Sequence, residues 1–307
     1  MACAARTIPS MDRRSFLAAF ALALLGCRPS HSGVTVGSKN FTEQLVLGEL
    51  LVQYLQSLHL APIDRRFYLA GTYICQQSLL TGHIDMYVEY TGTALAAVLK
   101  EKPLKEKPFS NPQQVFSEVQ TQYRRRFGLE VFPSLGFDNS FAMVMRGADA
   151  RDMNIHKLSQ LAQFAPRLRM GVGYEFLERA DGYAGLVKTY HLNFAEAPRV
   201  MDLGLLYRAL QSRQVDIVAG ANTDGLIAAL GLVVPEDDLH YFPPYEAVPV
   251  VRPAVLQRFP EIKAALLSLA GKITAPDMRK MNYAVDGEEK DAADVARAFL
   301  TEKKLVT

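Results

Sequence analysis

The sequence predicts an α/β molecule of two lobes joined by two crossing segments, on three observations. Beyond a short leader, residues 27–307 exceed one ordinary domain and suffice for two α/β lobes. A grammar of strand, glycine turn, helix and β-branched–Asp–apolar ending occurs twice: Gly37 to Asp85 spans 48 residues and Gly171 to Asp216 spans 45. It reads as one βα-rich lobe built twice, with a chance echo of common α/β punctuation as the alternative. Finally, Gly136-Phe-Asp-Asn139 and Tyr241-Phe-Pro-Pro-Tyr245 are turn-forming or conformationally restricted stretches suited to crossing between lobes. The expected division is 34–138 plus 246–307 for lobe 1 and 139–245 for lobe 2, with the C-terminal helical region, 253–305, completing lobe 1.

The first 26 residues read as an export signal. Met11-Asp-Arg-Arg14 leads into an apolar run from Phe16 to Leu25, then Gly26-Cys27. The run is too short for a permanent membrane span. Leu24-Leu-Gly-Cys27 resembles a lipobox, which makes Cys27 the lipidated residue and 27–33 a tether. The paired arginines resemble a twin-arginine signal, although Asp12 stands where that pattern prefers Ser or Thr, so both export routes stay open. Met1 and Met11 are both candidate starts, and a short buried helix is the alternative to a signal. Cys3 falls in the leader, so Cys75 has no partner for a disulfide.

Within lobe 1, Val34–Val36 reads as a strand, Gly37-Ser-Lys39 as a turn, and Phe41 to about Leu58 as a helix. Asn40 is expected to cap it, with Glu43 completing a capping box and Leu45, Gly48, Leu51, Val52, Leu55 and Leu58 forming one apolar stripe. Leu79 to Met86 reads as helix end, turn and buried strand. A Lys/Pro-rich surface loop from Lys100 to Pro112 precedes a helix over 113–126. Strands are expected at Glu130–Phe132, Phe141–Met145, Leu168–Met170 and Val248–Val251, with a helix from Phe176 onward.

The formal net charge is +2, and the basic cluster Arg124-Arg-Arg126 sits at a helix end where cations are stabilised anyway, which argues against a nucleic-acid partner. No later segment is long and apolar enough for a permease. His83, His156, His191 and His240 lack metal-ligand spacing, Gly171-Val-Gly173 lacks the rest of a dinucleotide fingerprint, and Cys75 sits in no nucleophile motif. No enzyme, metal or cofactor is therefore expected. Asp85, Asp216 and Asp224 read as turn and cap residues.

Five tracts remain, in order: Gly37-Ser-Lys-Asn-Phe-Thr-Glu-Gln44, Tyr87-Val-Glu-Tyr-Thr-Gly-Thr93, Glu175-Phe-Leu-Glu-Arg-Ala-Asp-Gly182, Asn222-Thr-Asp-Gly225 and Phe242-Pro-Pro-Tyr245. Together they resemble the substrate-binding proteins of osmoprotectant ABC importers for glycine betaine, choline or carnitine, from Val34 to the C-terminal Phe299-Leu300. The resemblance implies a type II periplasmic-binding-protein fold with its ligand cleft between the lobes. It also implies a monomeric receptor anchored outside the cytoplasm, with a permease and its ATPase as partners. A signalling or assembly lipoprotein of the same fold is the alternative from another class.

A trimethylammonium group has no N–H to donate, so aromatic faces must hold it, at about 0.5–2 kcal/mol per contact. A carboxylate at the other end wants a helix N-terminus and a Lys or Arg. The resemblance makes Tyr90 and Tyr245 walls of an aromatic cage, Thr93 a polar contact, and Phe141 a ring where many relatives have Tyr. It gives Arg179 and Lys39 to a carboxylate, and Gln44 and Asn139 as further contacts. The duller alternatives are core positions for the three rings, a solvated loop cation for Lys39, and an ion pair with Glu175 or Glu178 for Arg179. Ala221 stands where relatives often carry a further cage Tyr, and the internal echo sets it opposite Tyr90. That gap implies roughly tenfold weaker cation binding, or a larger betaine such as ergothioneine filling the space.

Overall fold

A computed structural model describes residues 33–100 and 111–306, so the leader, Cys27 and most of the Lys/Pro-rich loop lie outside the described residues. Two five-stranded sheets organise them. The first has strands β1 (Val34–Gly37), β2 (Ile63–Arg66), β3 (Met86–Tyr90), β4 (Glu130–Val131) and β10 (Ala247–Val251), in the order β2-β1-β3-β10-β4. The second has β5 (Phe141–Arg146), β6 (Met170–Val172), β7 (Arg199–Val200), β8 (Ile217–Ala221) and β9 (Leu232–Val233), in the order β7-β6-β8-β5-β9.

The two orders correspond strand for strand. Each has three parallel strands, then one antiparallel strand that enters from the other lobe's side of the chain, then a short edge. One chemical device fixes both copies. Asp85 Oδ2 accepts the Thr35 N–H at 2.9 Å, and Asp216 Oδ2 accepts the Arg169 N–H at 3.0 Å, tying the start of β3 and of β8 to a neighbouring strand. Arg252 neutralises Asp85, while Arg146 and Arg169 neutralise Asp216 and hold its carboxyl at about 2 against burial. Tyr90 and Ala221 are the last residues of the matched strands.

Helix α1 (Thr42–Ser57) follows β1, and α2 (Thr72–Thr81) and α3 (Pro112–Phe127) complete that lobe's middle. The predicted stripe on α1 is too narrow. Val46, Leu47, Leu50 and Tyr54 are buried as well, because the C-terminal helices, α6 (Ala275–Asp286) and α7 (Ala292–Glu302), cover its other side; Leu58 is exposed. The expected capping box is absent too. Phe41 occupies the N-cap position with no side-chain cap, and Glu43 turns into the protein instead. Its carboxyl finds stronger partners there than one backbone N–H.

Each sheet is covered on both faces by apolar clusters, which makes each lobe a core of its own. The strands of the two lobes are joined through paired segments: Asp138 and Glu246 form an antiparallel bridge, and the Asn139 N–H donates to the Tyr245 carbonyl at 3.0 Å. No described helix is long and apolar enough to cross a membrane.

Candidate functional site

The five tracts converge around these crossings. In the second lobe, α4 (Tyr174–Glu178) ends at Arg179, whose extended backbone breaks the helix before α5 (Tyr183–Tyr190). That break turns the side chain inward, where it is 4% exposed. Its Nε and Nη2 grip Asp181 at 2.8 and 2.5 Å, and Nη1 donates to Thr93 Oγ1 of the first lobe at 3.0 Å. The guanidinium carbon lies 4.9 Å from the Phe141 ring centre and 5.8 Å from that of Tyr245. Phe141 touches Tyr245, Phe176 and Phe242 with centroids 5.7, 4.8 and 5.7 Å apart, and so belongs to the cores of both lobes. The Tyr245 hydroxyl donates to Asp181 at 2.5 Å, and its ring lies so close to Gly92 that a Cβ there would come within 2.6 Å of it. The glycine of Tyr-Thr-Gly-Thr is thus a seat for that ring.

A second group forms on the first lobe. Lys39 is 3% exposed and pairs with Glu89 at 2.5 Å, its ammonium 5.1 Å from the Tyr90 ring centre. Glu89 also accepts from the Tyr87 hydroxyl and the Tyr90 N–H. Gln44 donates to the Val88 carbonyl and to the Tyr90 hydroxyl at 3.1 Å. Tyr90 stacks on Phe41 and donates its hydroxyl to Glu43 at 2.6 Å. Burial pushes the phenols of Tyr90 and Tyr245 well above their ordinary range, so both are O–H donors at any physiological pH.

Glu43 links the groups. It accepts from Tyr90, from Asn139 Nδ2 at 2.7 Å, from Thr223 Oγ1 of the second lobe at 2.6 Å and from Asn282 Nδ2 on α6 at 3.1 Å. Burial raises its carboxyl above the ordinary 4.5, and those four donors oppose the rise. Asp224, accepting from the Ala221 N–H and the Tyr207 hydroxyl, is pushed up to about 6 by burial, with Glu43 and Asp286 adding to the rise. A further contact spans the lobes: Glu175 accepts from Thr72 N–H at 2.5 Å and from Thr72 Oγ1 at 3.1 Å.

Of the eight ligand-contact residues expected from sequence, Thr93, Phe141, Arg179 and Tyr245 form one cluster and Lys39, Gln44, Tyr90 and Asn139 the other. Neither Lys39 nor Arg179 is solvated, and each already holds an internal carboxylate. The partner of Arg179 is Asp181, neither Glu175 nor Glu178. Glu43, Glu89, Asp181, Thr223 and Asn282 were missed as site residues. A charge inside the otherwise apolar β3 was the available signal for Glu89. Ala221 pairs with Phe141 in the β5–β8 register, so a methyl stands beside the Phe141 ring. No group of three or more His, Cys, Asp or Glu side chains is arranged for a metal ion among the described residues.

The geometry has close relatives. A solved structure of a glycine betaine/carnitine/choline ABC transporter protein superposes with a TM-score of 0.72 at 31% identity, covering 89% of this chain and 99% of the other. The carnitine transport binding protein of Listeria monocytogenes is 31% identical over 287 residues, covering 93% of this chain and 91% of that protein. The ergothioneine transport permease/ergothioneine binding protein of Helicobacter pylori is 33% identical over 268 residues, 87% of this chain and 47% of that protein. The model of the substrate-binding domain of ABC-type glycine betaine transport systems matches residues 32–302. With its two-lobed α/β fold and its polar and aromatic clusters at the crossings, the chain belongs to that family of ABC-importer substrate-binding domains.

Proposed function

We propose that this protein is an exported receptor, anchored through a lipid on Cys27, that takes a quaternary-ammonium solute between its lobes and delivers it to an ABC permease and its ATPase. The observation that carries the reading is the Phe141–Tyr245–Arg179–Thr93 cluster, which joins aromatic faces to a polar end across both lobes. The quaternary group packs against the rings of Phe141 and Tyr245. A solute carboxylate takes the edge of Arg179 left after its bonds to Asp181 and Thr93, since a guanidinium has five N–H groups and these bonds use three. Lobe closure on the solute creates the surface that the permease reads.

A larger betaine is favoured by one observation, the methyl of Ala221 opposite Phe141. The ergothioneine-binding relative fits that reading. A melting screen with glycine betaine, choline, carnitine, proline betaine and ergothioneine tests both. A ligand at 100 times its Kd stabilises by about 2.7 kcal/mol and must shift the midpoint. No shift with any of the five at millimolar concentration sinks the receptor reading.

A further inference from the structure

The polar groups around Glu43 do not balance. Asn282 is 1% exposed, and its Nδ2 donates to Glu43 Oε2 and to the Thr223 carbonyl at 3.0 Å. Both partners are acceptors, so turning the amide over would set oxygen against oxygen. Its Oδ1 is therefore fixed, buried and without a donor. Asn139 and Asn222 repeat the arrangement: each points Nδ2 at a carboxylate, Glu43 at 2.7 Å and Asp138 at 3.5 Å, and each keeps a buried Oδ1 with no donor. Among the described residues, no Lys or Arg side chain donates to Glu43, Asp138 or Asp224. A buried acceptor without a donor forfeits its whole hydration, and three in one seam are a demand for donors from elsewhere.

The matched strand ends differ in what they offer. At the end of β3 the first lobe supplies a hydroxyl donor, Tyr90, to Glu43; at the matched end of β8 the second lobe supplies a methyl. We infer that the solute itself brings the donor: the preferred ligand is a quaternary ammonium compound that also carries an O–H or N–H group, read by the Asn139, Asn222 and Asn282 oxygens. Glycine betaine, which has neither group, is disfavoured. The inference rests on the receptor reading above and narrows its ligand class.

Calorimetric titration of the purified protein with glycine betaine, choline, carnitine and ergothioneine tests it. At least one of the three donor-bearing solutes is expected to bind about tenfold more tightly than glycine betaine. Asn282→Ser and, separately, Asn222→Ala are expected to remove most of that advantage, weakening the donor-bearing solutes by a larger factor than glycine betaine. Asn222 makes one long bond, so its variant carries the test if Asn282→Ser melts early. Glycine betaine binding as tightly as the best donor-bearing solute overturns the inference and leaves the receptor reading standing. So do variants that weaken all four solutes equally. Binding of none of the four overturns both.

Discussion

Arg179 shows how much of the site's cost is met inside a single residue's surroundings. A guanidinium 4% exposed must have its charge matched, and Asp181 does this with two hydrogen bonds while also accepting the Tyr245 hydroxyl. Removing one partner leaves the other charge buried. Arg179→Ala is therefore expected to destabilise the fold by about 3–5 kcal/mol, and Arg179→Met with Asp181→Leu to recover most of that loss, both read from urea denaturation. A cost below about 1 kcal/mol for the single variant would show that the pair is hydrated and that Arg179 does not organise the aromatic cluster. Sequence singles out Arg179 and Lys39 because both stand in specific tracts. It did not show that Lys39 arrives with its own carboxylate, because Glu89 lies 50 residues away and nothing local requires their meeting.

At the scale of elements, the contact between Glu175 and α2 resembles a helix cap supplied from the opposite lobe. Gly71 occupies the N-cap position of α2 without a side chain to satisfy the helix's first N–H groups, and Glu175 accepts from Thr72 instead. The glycine is required by this approach, since a Cβ on Gly71 would fall 2.0 Å from Glu175 Oε1. When the lobes part, α2 loses its cap. A cap is worth about 1 kcal/mol, which corresponds to roughly a fivefold change in the ratio of closed to open protein. Glu175→Ala and Gly71→Ala are each expected to weaken solute affinity by about that factor and to raise the radius of gyration of the liganded protein in solution scattering. Unchanged affinity in both variants would mean that the clasp does not bias closure. Neither half of this clasp was legible in the sequence, where Gly71 sat in no motif and Glu175 read as a partner for Arg179. The strands fared better, because alternation and glycine turns are local signals. The start of α1 fared worse, because a tertiary seam outcompeted the capping box.

For the whole molecule, the duplicated lobe was legible through the spacing of Gly37 to Asp85 and Gly171 to Asp216, and the two aspartates prove to do the same work in each sheet. The seam between the lobes was not, because its members meet only in the folded chain: Thr223 lies 180 residues from Glu43 and Asn282 lies 239. That seam is expected to make closure a proton-linked step. In the closed arrangement burial raises the Glu43 carboxyl; opening withdraws Thr223 and admits water, which returns the group toward its ordinary 4.5. The closed state thus holds the proton more tightly than the open one. Its proton-linked advantage is full at pH below the open-state value and is lost as pH rises through the raised closed-state value. Between those two values, solute binding that closes the lobes must take up protons. Titrating the protein with its tightest quaternary amine in buffers of different ionisation enthalpy measures that uptake directly. The heat is expected to depend on the buffer at mildly acidic pH, to become independent of it at alkaline pH, and to depend on it less at mildly acidic pH in Glu43→Gln. Buffer-independent heat at mildly acidic pH in the unaltered protein would mean that Glu43 keeps the same surroundings in both states, and that the seam plays no part in closure.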